Sequence, residues 1–168
     1  MKVVNIKEKK MRRKDREITD LKEIEEIIDK AKVLKLGLTD GDYPYIVPLH
    51  FGYSYCDACN GFFFYMHSAK DGKKLDLIRK NPNCFVELDT DMKIIEGDIA
   101  CEYGSEYASF MGRGKAEIVD DTIEKQIALS SLMLNQTGKA FDINEKMAES
   151  VDVIKVEVTD FSAKRCRG

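Results

Sequence analysis

The sequence predicts a mainly β protein, with antiparallel strands in a closed or nearly closed barrel and helices packed outside it. Three observations predict this fold. Several segments alternate apolar with polar residues or are rich in β-branched and aromatic residues, and turn signals such as Asp40-Gly41 and Asn60-Gly61 separate them. Amphipathic helical segments precede and follow the strand series. No repeat or low-complexity linker interrupts the 168 residues, so one domain is expected over 1–168.

The first helix is predicted over residues 20–32. Asp20 followed by Glu23 resembles a capping box at its start. Apolar residues then recur on one helical face, namely Leu21, Ile24, Ile27, Ile28 and Ala31.

A β-hairpin is predicted next. Leu34, Leu36 and Leu38 alternate with other residues up to the Asp40-Gly41 turn, and the second strand is read from the apolar and aromatic stretch 43–53. Pro48 has no amide hydrogen to donate to a neighbouring strand. We therefore expect this strand to lie at a sheet edge or to carry a bulge at Pro48, which leaves backbone groups free for a ligand.

The remaining elements follow from the same patterns. A short helix is predicted from an N-cap at Ser68 or Asp71 to the Asn81-Pro82 pair. A longer helix is predicted over about 122–136, with Asp121 or Thr122 as its cap and a stop near Gly138. Strands are predicted at 62–67, 84–88, 107–119 and 153–161. The stretch 90–106 predicts no clear number of strands.

Composition and charge narrow the class of protein. Apolar residues make up 43% of the chain, but no run approaches the roughly 20 apolar residues of a membrane-spanning helix, so no membrane partner is expected.

A basic arm is predicted at residues 1–18. Residues 1–16 hold eight Lys and Arg against two acids, a net charge of +6. Because the whole chain has a net charge of −3, the remaining residues carry −9. Because no nucleic-acid signature or secretory signal accompanies the arm, nucleic acid is unlikely as a partner and the cytoplasm is the expected location.

The five cysteines, Cys56, Cys59, Cys84, Cys101 and Cys166, do not suggest a disulfide framework. The Cys56-x-x-Cys59 pair lacks the further ligands of a structural zinc site and the βαβ setting of a thioredoxin-like site. We interpret it as two reduced cysteines in a loop between strands, and no metal site is expected.

The stretch 62–82 contains the strongest candidate site. Lys73 and Lys74 stand in the predicted first turn of a helix, where positive charge opposes the helix dipole. A bound anion would reverse this cost, because the free amides, the Ser68 hydroxyl and two ammonium groups would form a phosphate cradle. The alternative is two solvated surface lysines. His67 likewise is either a packing residue at a strand end or an acid or base acting near neutral pH.

Four blocks in this order resemble the FMN-binding split-barrel superfamily related to pyridoxamine phosphate oxidase, and in particular its nitroimidazole-reductase (Nim-type) branch. They are MRRKDREITD (11–20), LGLTDGDYPYIVPLHFGY (36–53), FYMHSAKDGKKLDLIRKNP (64–82) and EYASFMGRGKAEIVDD (106–121). The resemblance implies an antiparallel split barrel that forms a homodimer, with FMN at the interface.

The resemblance also implies roles for individual residues. His67 corresponds to the histidine beside cofactor and substrate and is the candidate catalytic residue. The expected cofactor-binding residues lie in the edge strand, in the turn before the short helix, and in a strand that approaches from the partner subunit: Val47, Pro48, Leu49, His67, Ser68, Lys73, Lys74 and Ser109.

The implied function is an FMN-dependent oxidoreductase that passes electrons from NADH or NADPH to a small acceptor such as a nitroaromatic or a quinone. One alternative is a flavin- or heme-binding protein without rapid turnover, in which His67 or His50 would be the axial ligand of heme. Another is pyridoxamine phosphate oxidation, which needs a second phosphate site. Lys164, Arg165 and Arg167 could supply that site, but we expect them to belong to a tail.

Overall fold

The computed structural model describes residues 12–167. Its strands are β1 (Glu17–Ile18), β2 (Leu34–Asp40), β3 (Tyr43–Leu49), β4 (Gly52–Cys56), β5 (Gly61–Ser68), β6 (Asn83–Ile95), β7 (Gly104–Val119) and β8 (Asp152–Cys166). Its α-helices are α1 (Leu21–Lys30), α2 (Lys73–Lys80), α3 (Thr122–Thr137) and α4 (Glu145–Glu149). Residues 1–11 of the predicted basic arm lie outside the described residues, and the rest of the arm contains a short 3₁₀ turn and β1.

All strands join one antiparallel sheet in the order β3-β2-β6-β7-β8-β5-β4, with β1 added along β8. The two ends of this order, β3 and β4, are not paired with each other in the described part of the chain, so the barrel is split. The predicted antiparallel fold with flanking helices is therefore confirmed. This open seam leaves β3 as an edge strand.

The predicted second strand of the hairpin, 43–53, is wrong as a single element. The chain leaves the sheet at His50 and Phe51, and the two halves become β3 and β4 at opposite ends of the strand order. Phe51 is fully buried, and its ring packs edge-on against Phe64 at a centroid distance of 5.8 Å. Burial of this aromatic ring in the barrel outweighs the continuation of a strand, which sequence alternation alone cannot reveal.

One hydrophobic core fills the barrel. Phe62, Phe64 and Phe110 are fully buried, with ring centroids 5.5–6.1 Å apart. The alternation of β5 explains this packing, because every second side chain from Phe62 onwards points into the core. The predicted hairpin β2–β3 forms with the expected turn, and its buried leucines Leu34, Leu36 and Leu38 join the same core.

The helices begin and end largely where the sequence indicates. Asp20 caps α1 by accepting a hydrogen bond from the amide of Glu23, and Asp121 caps α3 in the same way through Glu124. Gly138 ends α3 in the left-handed conformation at φ 71°. Helix α4, which was not predicted from the sequence, packs against α3.

The unassigned stretch 90–106 proves to be the far end of a long hairpin. Strands β6 and β7 pair along its length, with a register shift between Thr90 and Lys93. Asp91 takes φ 58° there. The bulge interrupts alternation, which explains why the pattern gave no strand count.

Candidate active site

The candidate site is built around the start of α2. Its N-cap is Gly72, with φ 141°, and no side chain caps the first amides of the helix. The predicted N-cap at Ser68 or Asp71 is therefore wrong, because the chain makes a longer loop before the helix begins. Uncapped amides and two lysines at the same helix end are chemically suited to an anion.

Lys73 connects this helix end to the β2–β3 hairpin. Its Nζ lies 2.5 Å from Oδ2 of Asp40 at the hairpin turn and 5.3 Å from the centroid of the Tyr45 ring in β3. The hydrogen bond and negative charge of Asp40 raise the pKa of Lys73 above its ordinary value. The ammonium group is thus held beside the edge strand, in an exposed position that a phosphate can reach.

His67 and Ser68 diverge at the end of β5. Ser68 is buried, and its hydroxyl donates a hydrogen bond to the carbonyl of Ala69 at 2.8 Å. His67 is exposed on the opposite face of the strand. Of the two, only His67 presents its side chain to solvent, while Ser68 shapes the loop that leads to α2.

The edge strand β3 matches the expectation for Pro48. Pro48 is exposed and lies opposite Lys35 of β2, with Val47 and Leu49 half-buried on either side. The outer edge of β3 has no neighbouring strand among residues 12–167. Its outward backbone groups are therefore open to a ligand or to a second chain.

The pairing of residues across the strands identifies other side chains on the same outer face of the sheet as Pro48. Lys35 lies opposite Glu87, which lies opposite Met111. Two residues further along, Ser109 lies opposite both Asp89 and Lys164. Because directly paired residues point to the same side of a sheet, Ser109 shares the outer face with Pro48.

This outer face contains an apolar groove of about 660 Å³. Ile46 (64% exposed) and Phe85 (39%) line it, and Met111 (39%) lies on the same face. These residues were not predicted to form a surface. The alternation in β6 and β7 could have identified them. Phe85 and Met111 are next to the buried Val86 and Phe110 in sequence, so their side chains point to the opposite face of the sheet.

The C-terminal basic residues do not form a tail, contrary to prediction. Lys164 and Arg165 belong to β8, and Arg165 is mostly buried against α1. Its guanidinium lies 3.3 Å from the carboxylate of Glu23, and Arg167 lies 3.8 Å from the same group. These two arginines already have carboxylate partners, whereas Lys164 stands beside Ser109 on the outer face.

His50, the alternative heme ligand, lies in the break between β3 and β4. Its Nδ1 is 3.0 Å from the carbonyl of Lys32 and 3.1 Å from Oε1 of Gln136. This histidine therefore connects the segment between β3 and β4 to α3.

Within residues 12–167, no group of three or more His, Cys, Asp or Glu side chains is arranged to hold a metal ion. No helix in the same range has the length and apolar character to cross a membrane.

Comparison with known proteins relates this architecture to a family. The profile described as pyridoxamine 5'-phosphate oxidase matches residues 20–165. A provisionally assigned 5-nitroimidazole antibiotic resistance protein from Bacteroides thetaiotaomicron is 32% identical, with a TM-score of 0.74 and 89% of this chain and 86% of that chain covered. The comparison with curated proteins gives no match.

Two more distant structures share the fold. The flavocytochrome Anf3 from Azotobacter vinelandii is 17% identical, with a TM-score of 0.74 and coverage of 94% of this chain and 72% of that chain. The FAD and heme binding protein from Mycobacterium smegmatis is 14% identical, with a TM-score of 0.73 and coverage of 91% and 74%. Because the family profile spans nearly all of the described strands and helices, the chain belongs to the pyridoxamine 5'-phosphate oxidase family.

Proposed function

We propose that this protein is an FMN-dependent oxidoreductase that takes electrons from NADH or NADPH and reduces a small acceptor such as a nitroaromatic compound. The observation that carries the proposal is the uncapped, lysine-bearing start of α2, held against the open edge strand β3 in a chain of this family. The nitroaromatic acceptor is favoured by the 32% identity to the nitroimidazole resistance protein.

The start of α2 has the donors that a phosphate monoester requires. The first amides of the helix have no side-chain acceptor, and the helix dipole adds partial positive charge at the same end. Lys73 and Lys74 supply two ammonium groups. On binding, Lys73 would exchange part of its contact with Asp40 for the phosphate, while its ammonium group stays near the Tyr45 ring.

The edge strand suits the flat ring of a flavin. Val47, Pro48 and Leu49 would lie along the ring, because β3 has unpaired outward backbone groups and an apolar groove lies on the adjoining outer face. A bound flavin supplies hydride acceptance and electron transfer, and the protein supplies orientation and a proton source. The exposed imidazole of His67 would donate or accept that proton.

A homodimer would complete the site. Ile46, Phe85 and Met111 form an exposed apolar surface on one sheet face, and covering such a surface stabilises association. Ser109 lies on the same face and would approach the flavin of the partner subunit.

The proposal is tested by flavin binding. Wild-type protein mixed with FMN and passed through gel filtration should carry the flavin absorption bands. Lys73→Ala/Lys74→Ala should weaken FMN affinity by at least about 100-fold, because each charged hydrogen bond to phosphate is worth roughly a tenfold change in Kd or more. Fluorescence titration measures the change.

Arg79→Ala/Lys80→Ala is the matched control, because it removes the same charge from the other end of α2. This variant should bind FMN within about threefold of wild type, since it loses only long-range attraction. Equal losses in both double variants would mean that net charge alone attracts FMN, and the phosphate site would then be wrongly assigned.

Turnover separates an oxidoreductase from a protein that only binds its cofactor. The FMN-loaded protein should oxidise NADH or NADPH in the presence of a nitroaromatic faster than free FMN does at the same concentration. Turnover no faster than free FMN would contradict the enzymatic assignment. A Soret band on addition of heme, with no retention of FMN, would assign the site to heme instead.

Phe85→Glu tests the dimer. A carboxylate in the middle of the apolar outer face should be costly to bury, so the variant should be monomeric at micromolar concentration and should lose FMN affinity in parallel. Sedimentation velocity and FMN titration measure the two effects. Ile123→Glu alters an equally apolar, more exposed residue on α3 and is the control. A wild-type monomer that binds FMN would contradict a shared site.

A further inference from the structure

The Cys56-x-x-Cys59 pair in the β4–β5 turn has no part in the proposed flavin site. Cys56 is the last residue of β4, and Cys59 lies in the turn that leads to Gly61 at the start of β5. Both side chains are partly exposed and both thiols are free. The sequence predicts two reduced loop cysteines, and their geometry indicates a further role.

The two residues contact each other through both thiols. The amide of Cys59 donates to Sγ of Cys56 at 3.3 Å, and the thiol of Cys59 lies 3.7 Å from the carbonyl of Cys56. Each sulfur therefore lies within 4 Å of the other residue's backbone. Such proximity within one four-residue segment is what formation of a disulfide between the two thiols requires.

The turn holds this arrangement from both sides. The hydroxyl of Tyr55 donates to Oδ1 of Asn60 at 2.7 Å, which joins the residue before Cys56 to the residue after Cys59. Asn60 takes φ 48°, a conformation that asparagine tolerates in tight turns. The two cysteines are thus enclosed in a short, hydrogen-bonded loop.

The environments of the two thiols differ. The Cys59 thiol and the amides of Cys59 and Ala58 stabilise negative charge on Cys56 and lower its pKa. The pKa of Cys59 is raised by the adjoining Cys56 sulfur and by burial. By contrast, Cys84 is buried and its pKa is raised to about 12, which makes it inert as a nucleophile.

We propose that Cys56 and Cys59 form a reversible dithiol–disulfide pair in which Cys56 is the attacking thiolate, Cys59 is the resolving thiol, and the oxidant is a low-molecular-weight disulfide. The Cys56 thiolate attacks one sulfur of the small disulfide, forms a mixed disulfide and releases one small thiolate. Cys59 then loses its proton to solvent and attacks Sγ of Cys56, which releases the second small thiolate. Two protein thiols are oxidised and one small disulfide is reduced to two thiols.

Oxidised glutathione is the probe that tests this pair. In wild-type protein it should remove two of the five free thiols, and peptide mapping should find a link between Cys56 and Cys59. Cys59→Ser should instead accumulate a glutathione adduct on Cys56. Cys56→Ser should react at Cys59 at least about tenfold more slowly, because the hydrogen bonds that stabilise a thiolate in this turn are made mainly to the sulfur of Cys56.

Cys101→Ser is the matched control, since it removes an exposed cysteine outside the turn and should leave disulfide formation unchanged. A stable glutathione adduct on Cys56 in wild-type protein would overturn the proposal, because Cys59 would then not resolve it. Stoichiometric binding of Zn²⁺ that protects both thiols from oxidation would assign the pair to a metal instead. FMN affinity should be the same in all three serine variants, so the outcome is independent of the flavin proposal.

Discussion

Replacing His67 by alanine is expected to lower the rate of NADH- or NADPH-dependent reduction of a nitroaromatic by about 10²-fold or more. The loss should appear in kcat, and FMN affinity should change far less. The reason is that proton transfer and phosphate binding are proposed for different residues. The imidazole is exposed at the strand end, whereas the proposed phosphate contacts come from Lys73 and Lys74 in the next helix.

Steady-state kinetics on FMN-loaded protein measures this effect, together with FMN titration of the same variant. His50→Ala is the matched control, because it removes the other histidine of the chain, which contacts the carbonyl of Lys32 and the side chain of Gln136. His50→Ala should lower stability but leave kcat within about threefold of wild type once loaded. A His67→Ala variant with unchanged kcat would remove His67 from the reaction.

Replacing Gly52 by alanine should lower the free energy of unfolding by about 2–4 kcal/mol. An added Cβ at Gly52 would lie 2.3 Å from the amide nitrogen of Leu132 and 2.4 Å from the carbonyl carbon of Ser131. Both atoms belong to the backbone of α3 and cannot rotate away. The helix must therefore move from β4 or the strand must bend.

Movement of α3 would break the hydrogen bonds that join it to the chain around β4. Ser131 Oγ donates to the carbonyl of Tyr53 at 3.0 Å. Asn135 and Gln136 donate to the carbonyl of Phe51 at 3.0 and 2.9 Å. Loss of these bonds from part-buried groups adds to the cost of the steric clash.

Urea unfolding followed by circular dichroism measures the change. Gly104→Ala is the control, because the atoms nearest to its added Cβ belong to the Ile95 side chain and lie at 3.4 Å or more. That variant should stay within about 0.5 kcal/mol of wild type, as do most substitutions without a steric or polar cost. Equal stability of the two variants would show that α3 does not pack tightly on β4.

Local physical rules account for what the sequence predicted well. The caps Asp20 and Asp121 and the stop at Gly138 act within one helical turn of their own positions, so their effect is readable from neighbouring residues. The leucines of β2 and the phenylalanines of β5 alternate because one side of each strand faces the core. Pro48 could be assigned to an edge because a missing amide is a property of the residue itself.

The sequence by itself thus determined the antiparallel class of the fold, the hairpin β2–β3, the two main helices and the lysine pair at the start of α2. Only the tertiary structure decided that 43–53 divides into strands at opposite ends of the strand order, that Gly72 is the N-cap of α2, and that Arg165 forms an ion pair with Glu23. It also decided which residues form the outer face around Phe85. These features depend on contacts between residues far apart in sequence, where burial of Phe51 and pairing of charges outweigh the local preference of each segment.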